Sequence, residues 1–187
     1  MARILVACEF SGIVRDAFIE AGHDAVSCDI LPSERPGPHY QEEIETILSF
    51  NYPWALMIAF PPCTHLATSG ARWFKDKQVE QEKAVQFVKM LMDADIPRIC
   101  IENPVGVLST KIRKPDQIVQ PFMFGHGETK ATCLWLKNLP KLTPTNIVEG
   151  RVNRVHFSPD SKDRWKRRSR TLENFAKSMV DQWGKLL

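Results

Sequence analysis

Two residues of this 187-residue chain stand where a side chain could do chemistry instead of packing. Cys63 follows Pro61 and Pro62 at the end of an apolar run, in "WALMIAFPPCTHLATSG". Two prolines fix φ and remove two backbone donors, so the residue after them leaves the run at a set angle. A thiol held in that way is a nucleophile candidate. Glu102 closes "RICIEN" (98–103), where a charge is costly unless it faces a cleft or finds a partner. An acid there can donate to, or share a proton with, a substrate nitrogen. Cys8, Cys28, Cys100 and Cys133 lie inside strand-like runs and read as small buried hydrophobes. Neither Cys63 nor Cys8 has an arginine at the Cys-x5-Arg spacing. A papain-like pairing stays open on spacing alone, but does not suit the order of elements around these residues.

That order alternates. Residues 3–8, 24–29, 54–60, 98–103 and 131–136 read as strands, and 54–60 is the most apolar. Between the first two, "GIVRDAFIEAG" places Val14, Ala17, Phe18 and Ala21 on one helical face and ends at Gly22. "ILPSERPGPHY" is a proline- and glycine-marked loop, and "QEEIETILSF" a weak helix. A longer helix shows Val79, Ala84, Val85, Val88, Leu91 and Met92 at helical spacing, with Asp76 as its N-cap. A last helix over 171–187 sets Leu172, Phe175, Met179 and Trp183 on one side. Strand, helix, strand at these spacings predicts a mainly parallel sheet with helices on both faces.

Sheets of that kind bind ligands beyond the C-terminal ends of their strands. "EFSG" follows the first strand, Asp29 ends the second, Cys63 follows the third, and Glu102-Asn103 end the fourth. One glycine turn, one thiol and two acids thus converge on one edge. Asp29 lies where an acid grips ribose hydroxyls in such folds, and no Walker-type phosphate loop is present. The expected cofactor therefore contains a nucleoside.

The composition, 43% hydrophobic and 25% charged, supports a real core in a single domain. No apolar run reaches the roughly 20 residues of a membrane span, and the N-terminus reads as a strand, not a signal peptide. Five scattered cysteines without a C-x-x-C pair argue against a disulfide framework or zinc knuckle and for a reducing cytosol. The five histidines form no metal-ligand pattern, although His65 and His126 are candidates to line the cleft. Net charge is +3, but residues 151–170 hold eight Lys/Arg against two Asp. Either a phosphate-rich partner or a solvated basic surface accounts for that run.

These residues carry a family resemblance. "PPCTHLATSG" (61–70) resembles the Pro-Pro-Cys motif of C5-cytosine DNA methyltransferases, "IEN" (101–103) their Glu-Asn-Val motif, and "FSG" (10–12) their first, cofactor-binding motif. "FGHGETKATCLWL" (124–136) resembles their Gln-x-Arg-x-Arg segment and its strand. "SRTLENFAKSMVDQWG" (169–184) is similar to their last motif. The resemblance implies a Rossmann-like class I methyltransferase that uses S-adenosylmethionine to methylate cytosine in DNA, in the cytoplasm and without a metal. It implies Cys63 as nucleophile on C6 and Glu102 as the acid on N3, with Pro62, Asn103 and Lys130 beside them. It implies a cofactor site of Glu9, Phe10 (on the adenine), Ser11, Gly12, Asp29 (on the ribose), Ile30, Glu43, Pro61 and Thr171. It implies nucleic-acid contacts from Ser69, Lys130, Arg164, Arg167, Arg168 and Arg170.

The chain departs from the pattern in places. Val14 and Arg15 stand where the first motif has further glycines, Pro104 replaces the valine, and Glu128, Lys130 and Thr132 occupy the Gln-x-Arg-x-Arg positions. Only the short stretch 137–166 stands where family members insert a target-recognition domain, which implies little sequence selection or a protein partner that supplies it. RNA or free cytidine nucleotides are alternative substrates, and a non-catalytic nucleic-acid-binding or regulatory module is an alternative role. Adenine amino-methyltransferases are disfavoured, because "FPPC" and "NPVG" lack their Pro-Pro-aromatic pattern.

Overall fold

A computed structural model of the chain describes residues 1–149 and 164–187. Seven strands form one sheet: β1 (Arg3–Ala7), β2 (Asp24–Asp29), β3 (His39–Gln41), β4 (Leu56–Ala59), β5 (Ile99–Pro104), β6 (Gln117–Val119) and β7 (Thr132–Lys137), in the order β3-β2-β1-β4-β5-β7-β6. The first five in that order run parallel, and β7 is antiparallel to both β5 and β6. The helices are α1 (Ile13–Glu20), α2 (Ile44–Ser49), α3 (Gln78–Met92), α4 (Leu108–Lys111), α5 (Arg164–Ser169) and α6 (Glu173–Trp183).

Burial follows from the strand period of two. Ile4 and Val6 of β1, with Leu56 and Ile58 of β4, face a core completed by Val14 and Phe18 of α1 and Phe175, Met179 and Trp183 of α6. Leu5 and Ala7, with Met57 and Ala59, face the other core, with Ile44 and Ile47 of α2 and Val85, Val88 and Leu91 of α3. Both faces of the central strands are therefore covered, which explains why "ILVA" and "LMIA" are continuously apolar.

The expected alternation is present, with four differences. β3 and β6 are three residues each, too short to leave a hydrophobic period, and β3 emerges from the proline-rich loop. α3 starts at Gln78 behind Lys77, with no side-chain cap, so Asp76 is not its N-cap. Val79 is exposed because at about 100° per residue it lies opposite Val88, whereas Gln81 lies in line with Val88 on the buried face and donates its amide to the His65 carbonyl at 3.0 Å. The C-terminal region is two helices, since Leu172 is extended and separates α5 from α6.

Residues 138–146 belong to the α6 side of the core. Leu142 is buried there, the Trp183 indole donates to the Pro140 carbonyl, and Gln182 and Thr143 exchange two hydrogen bonds. No helix among the described residues is long and apolar enough to cross a membrane.

Behind β4 and β5 the chain makes a second, smaller ladder. Val107 N–H donates to the Leu66 carbonyl at 2.9 Å, and Thr68 N–H to the Val105 carbonyl at 3.1 Å, around a bridge between Ala67 and Gly106. A Cβ on Gly106 would stand 1.9 Å from the Leu66 oxygen, so only glycine permits this approach. Gly106→Ala is expected to destabilise the fold by about 1–3 kcal/mol, as overpacking against backbone does. Urea denaturation of the two proteins measures the difference.

Candidate functional site

Parallel pairing places the reactive residues in a row. Ala7 is in register with Cys28 on one side and Ala59 on the other, and Ala59 with Ile101. The next residues of those strands, Asp29, Cys8, Phe60 and Glu102, therefore line the C-terminal edge side by side. At roughly 4.8 Å per strand, Asp29 and Glu102 stand ~14 Å apart. The strand order reverses between β1 and β4, the position at which such sheets open a crevice.

The Cys63 loop is tied down from three directions. Asn103, 1% exposed, donates its amide N–H to the Pro61 carbonyl at 2.8 Å. Gln81 holds His65, and Val107 holds Leu66. Within the loop, the N–H groups of Leu66 and Ala67 both reach the Cys63 carbonyl at 3.0 Å. Pro61 is buried, while Pro62 and Cys63 are exposed, as is Ser69 in the 3-10 turn that follows. Cys28, Cys100 and Cys133 are buried and Cys8 is half-buried, so Cys63 is the exposed thiol of the chain.

Glu102, Cys63 and Lys130 form one electrostatic group. Burial pushes the Glu102 carboxyl above its ordinary range, against the pull of Lys130 and a hydrogen bond from Thr132. The protein packed around Cys63, together with the Glu102 charge, raises the thiol, whereas Lys130 and Arg168 lower it. Because Cys63 is exposed as a residue, solvent limits the size of this shift, and its sign is what matters. Lys130 is held in turn: its backbone N–H donates to the Gln120 side-chain oxygen at 2.9 Å, and its Nζ donates to the Arg168 carbonyl at 3.1 Å. Antiparallel β7 brings Thr132 opposite Pro104 and so beside Glu102. Thr132 is marked in the sequence only by its place in the altered Gln-x-Arg-x-Arg segment, and Gln120 and Gln81 leave no local signal; each matters through a partner distant along the chain.

At the β1 end, Glu9 is buried and its carboxylate is spent inside the turn. It accepts from Val14 N–H at 2.7 Å, Arg15 N–H at 3.3 Å and the Ser11 hydroxyl at 3.0 Å. Gly12 caps α1 without a side chain, so this acid satisfies the open N–H groups of the helix start. Burial raises Glu9, and these three donors oppose the rise. Gly12 has φ +73°, and Cys8, just before the turn, has φ 57°, which is unusual for a residue with a side chain. Phe10 is buried, and its ring meets Trp165 of α5 at 6.2 Å between centroids.

The remaining positions surround this edge. Asp29 is half-buried, its carboxyl raised by burial and opposed by the Leu31 N–H at 2.9 Å and by His39. Ile30 is exposed, Glu43 is the exposed residue before α2, and Thr171 is half-buried between α5 and α6. Arg167 is exposed and Arg168 half-buried. Arg170 makes a paired contact with Glu34, both at 2.7 Å, which ties the end of α5 to the loop after β2. The Arg164 side chain and residues 151–163 of the basic run lie outside the described residues. Among the described residues no cluster of His, Cys, Asp and Glu is arranged to hold a metal ion.

No protein-family model and no curated protein matches the chain. Among solved structures, the chain is similar to one reported as a DNA modification methyltransferase encoded within an E. coli prophage. That match has TM-score 0.55 at 17% identity and covers 86% of this chain and 56% of the other. A mutant of Spodoptera frugiperda DNMT2 is also similar, with TM-score 0.47 at 15% identity, over 82% of this chain and 55% of that one. The first match identifies the fold as one found in methyltransferases, and the chain spans about half the length of that neighbour.

The charges around Cys63 predict its pH behaviour. Alkylation by iodoacetamide is expected to rise with pH along a curve displaced above that of a free thiol. Glu102→Gln, which removes a negative neighbour, is expected to move the curve to lower pH, and Lys130→Met to move it higher. Measuring the labelling rate at Cys63 across pH, by mass spectrometry of the modified peptide, checks both signs.

Proposed function

We propose that this chain is an S-adenosylmethionine-dependent methyltransferase that acts on C5 of cytosine in DNA through a transient bond to Cys63. The observation that carries the reading is the exposed Cys63 thiol on a loop tied at three points and electrically coupled to Glu102 and Lys130. A pure binding module has no use for that arrangement. The prophage-encoded neighbour, described as a DNA modification methyltransferase, adds support at the level of the fold.

The residues at the edge suit the cofactor. Asp29 offers a half-buried carboxylate at the end of β2 for a ribose diol, and Gly12, at φ +73°, turns the chain of the buried Phe10-Ser11-Gly12 segment from β1 into α1 beside it. Glu9 shapes that turn from within, while Ile30, Glu43, Pro61 and Thr171 complete the candidate contacts. S-adenosylmethionine supplies an electrophilic methyl group.

Cys63, as thiolate, adds to C6 of the pyrimidine and makes C5 electron-rich. Glu102, whose burial favours the protonated form, donates to N3 and neutralises the charge that the addition places on the ring. Pro62 and Asn103 aim the sulfur, Pro62 by its fixed φ and Asn103 through the Pro61 carbonyl. Methyl transfer to C5 releases S-adenosylhomocysteine; loss of the C5 proton to a base then restores the double bond and expels the Cys63 thiolate, and N3 returns its proton to Glu102. In duplex DNA the target base must leave the stack to reach the thiol. Ser69, Lys130, Arg164, Arg167, Arg168 and Arg170 are the proposed backbone contacts.

Residues 138–146 pack on α6, so this part of the stretch 137–166 serves the core. We therefore expect activity on many flanking sequences, unless a protein partner confers selection. The parallel offer of duplex DNA, single-stranded DNA, RNA and cytidine nucleotides with labelled S-adenosylmethionine reads the substrate directly. Incorporation into an RNA or nucleotide sample alone would replace DNA in this reading.

Cys63→Ser is expected to abolish methyl transfer and to leave cofactor binding intact. Oligonucleotides with 5-fluorocytosine should trap a covalent adduct on the parent and none on the variant, and full turnover by the variant would exclude the covalent route. Neutralising Arg167 and Arg168 together is expected to weaken DNA binding and to reduce the salt slope by about 0.9 for each duplex phosphate that the protein no longer neutralises. Titrations at several salt concentrations measure that slope.

A further inference from the structure

Arg15 stands where the cofactor motif of the resembled family has a glycine, and it is 0% exposed. A fully buried guanidinium is costly unless its donors are satisfied. Here they are. Nε donates to Asp16 at 2.8 Å; Nη1 donates to Ser27 Oγ at 3.2 Å, Ser33 Oγ at 3.0 Å and the Pro38 carbonyl at 3.4 Å. Nη2 donates to the carbonyls of Arg35 at 3.2 Å and Pro36 at 3.1 Å, and pairs with Asp16 at 2.7 Å.

These partners join three pieces of the edge. Arg15 belongs to α1, whose start is fixed by Glu9; Ser27 belongs to β2, two residues before Asp29; and residues 33–38 form the loop that leaves β2. The fit depends on two glycines. A Cβ on Gly12 would stand 2.5 Å from Arg15 Nη2, and one on Gly37 would stand 2.9 Å from the same nitrogen. The guanidinium thus fills the space behind the Gly12 turn, and the loop is wrapped around it. A loop with three prolines among residues 32–38 lacks three backbone donors with which to fix itself. Arg15 supplies the missing donors.

We propose that Arg15 is a positioning residue for the cofactor: it fixes the 33–38 loop against the Gly12 turn and so sets the wall on the Asp29 side of the crevice. This inference rests on the cofactor reading above. It gives the altered motif a task, since the guanidinium does by hydrogen bonding to the loop what a glycine in its place could not do.

The test uses Arg15→Lys, Ser33→Ala and Gly37→Ala in the full chain. S-adenosylhomocysteine affinity is measured by calorimetry, duplex DNA affinity by titration, and protection of amides 31–38 by hydrogen exchange. Arg15→Lys and Gly37→Ala are expected to weaken S-adenosylhomocysteine binding tenfold or more, as roughly 1.4 kcal/mol requires. They should speed exchange at 31–38 and change DNA affinity less than twofold; Ser33→Ala should move the same quantities in the same direction by less. If Arg15→Lys does not fold, the two loop variants, which retain the arginine, decide the matter. Folded variants with parental cofactor affinity would overturn the inference while the cofactor reading stands. A parent that binds no S-adenosylhomocysteine would overturn the cofactor reading, and this inference with it.

Discussion

The hydrogen bond from Asn103 to the Pro61 carbonyl is the contact on which the rest of the site depends. A loop of free chain gives up about 1–2 kcal/mol of backbone entropy for each residue it orders. Here that cost is met in the fold itself, before any substrate arrives. The bond joins the ends of two parallel strands, and Gln81 and the Ala67–Gly106 bridge repeat the join farther along. Each such bond has a net worth of about 1 kcal/mol, so no one of them could hold the loop alone. Their value lies in their directions, since ties from β5, from α3 and from the segment after β5 leave the loop no shared hinge.

Charge at the site is arranged on the same scaffold. β7 returns antiparallel beside β5, which sets Thr132 against Glu102 and carries Lys130 just outside the edge. The carbonyl of Arg168 takes a hydrogen bond from Lys130, so the position of α5 and the charge beside Glu102 are connected through one side chain. α5 is further joined to the edge by Trp165 on Phe10, and the chain just after it by Arg170 on Glu34. Exposed pairs such as the last contribute little stability singly. Together they place a basic segment next to the reactive row.

The parts of this molecule that can be read from its sequence are those with a local cause. Five strands carry apolar runs long enough to show a burial pattern; the register of the parallel ones sets Asp29 and Glu102 on one edge, and Cys63 follows four residues after β4. β3 and β6, at three residues, exist because a neighbour offers a free edge, which no local pattern encodes. Val79 lies outside because it is half a turn out of phase with Val88, and the polar Gln81, in phase with it, is buried through the carbonyl it reaches. Arg15 is the sharpest case. In sequence it looks like a defect in a glycine motif, while in three dimensions it has more hydrogen-bond partners than the glycine could have offered.

The coupling between Glu102 and Cys63 has a consequence for the protein at rest. Linkage is reciprocal: whatever the carboxylate charge does to the thiol, a thiolate does to the carboxyl. Burial first and the Glu102 charge second favour the protonated sulfur, which is slow to oxidise toward sulfenic acid or to form mixed disulfides. The exposed thiol is therefore biased toward its less reactive form before a ring is bound, by the packing around it and, in smaller part, by the neighbouring acid, with Lys130 and Arg168 pulling the other way.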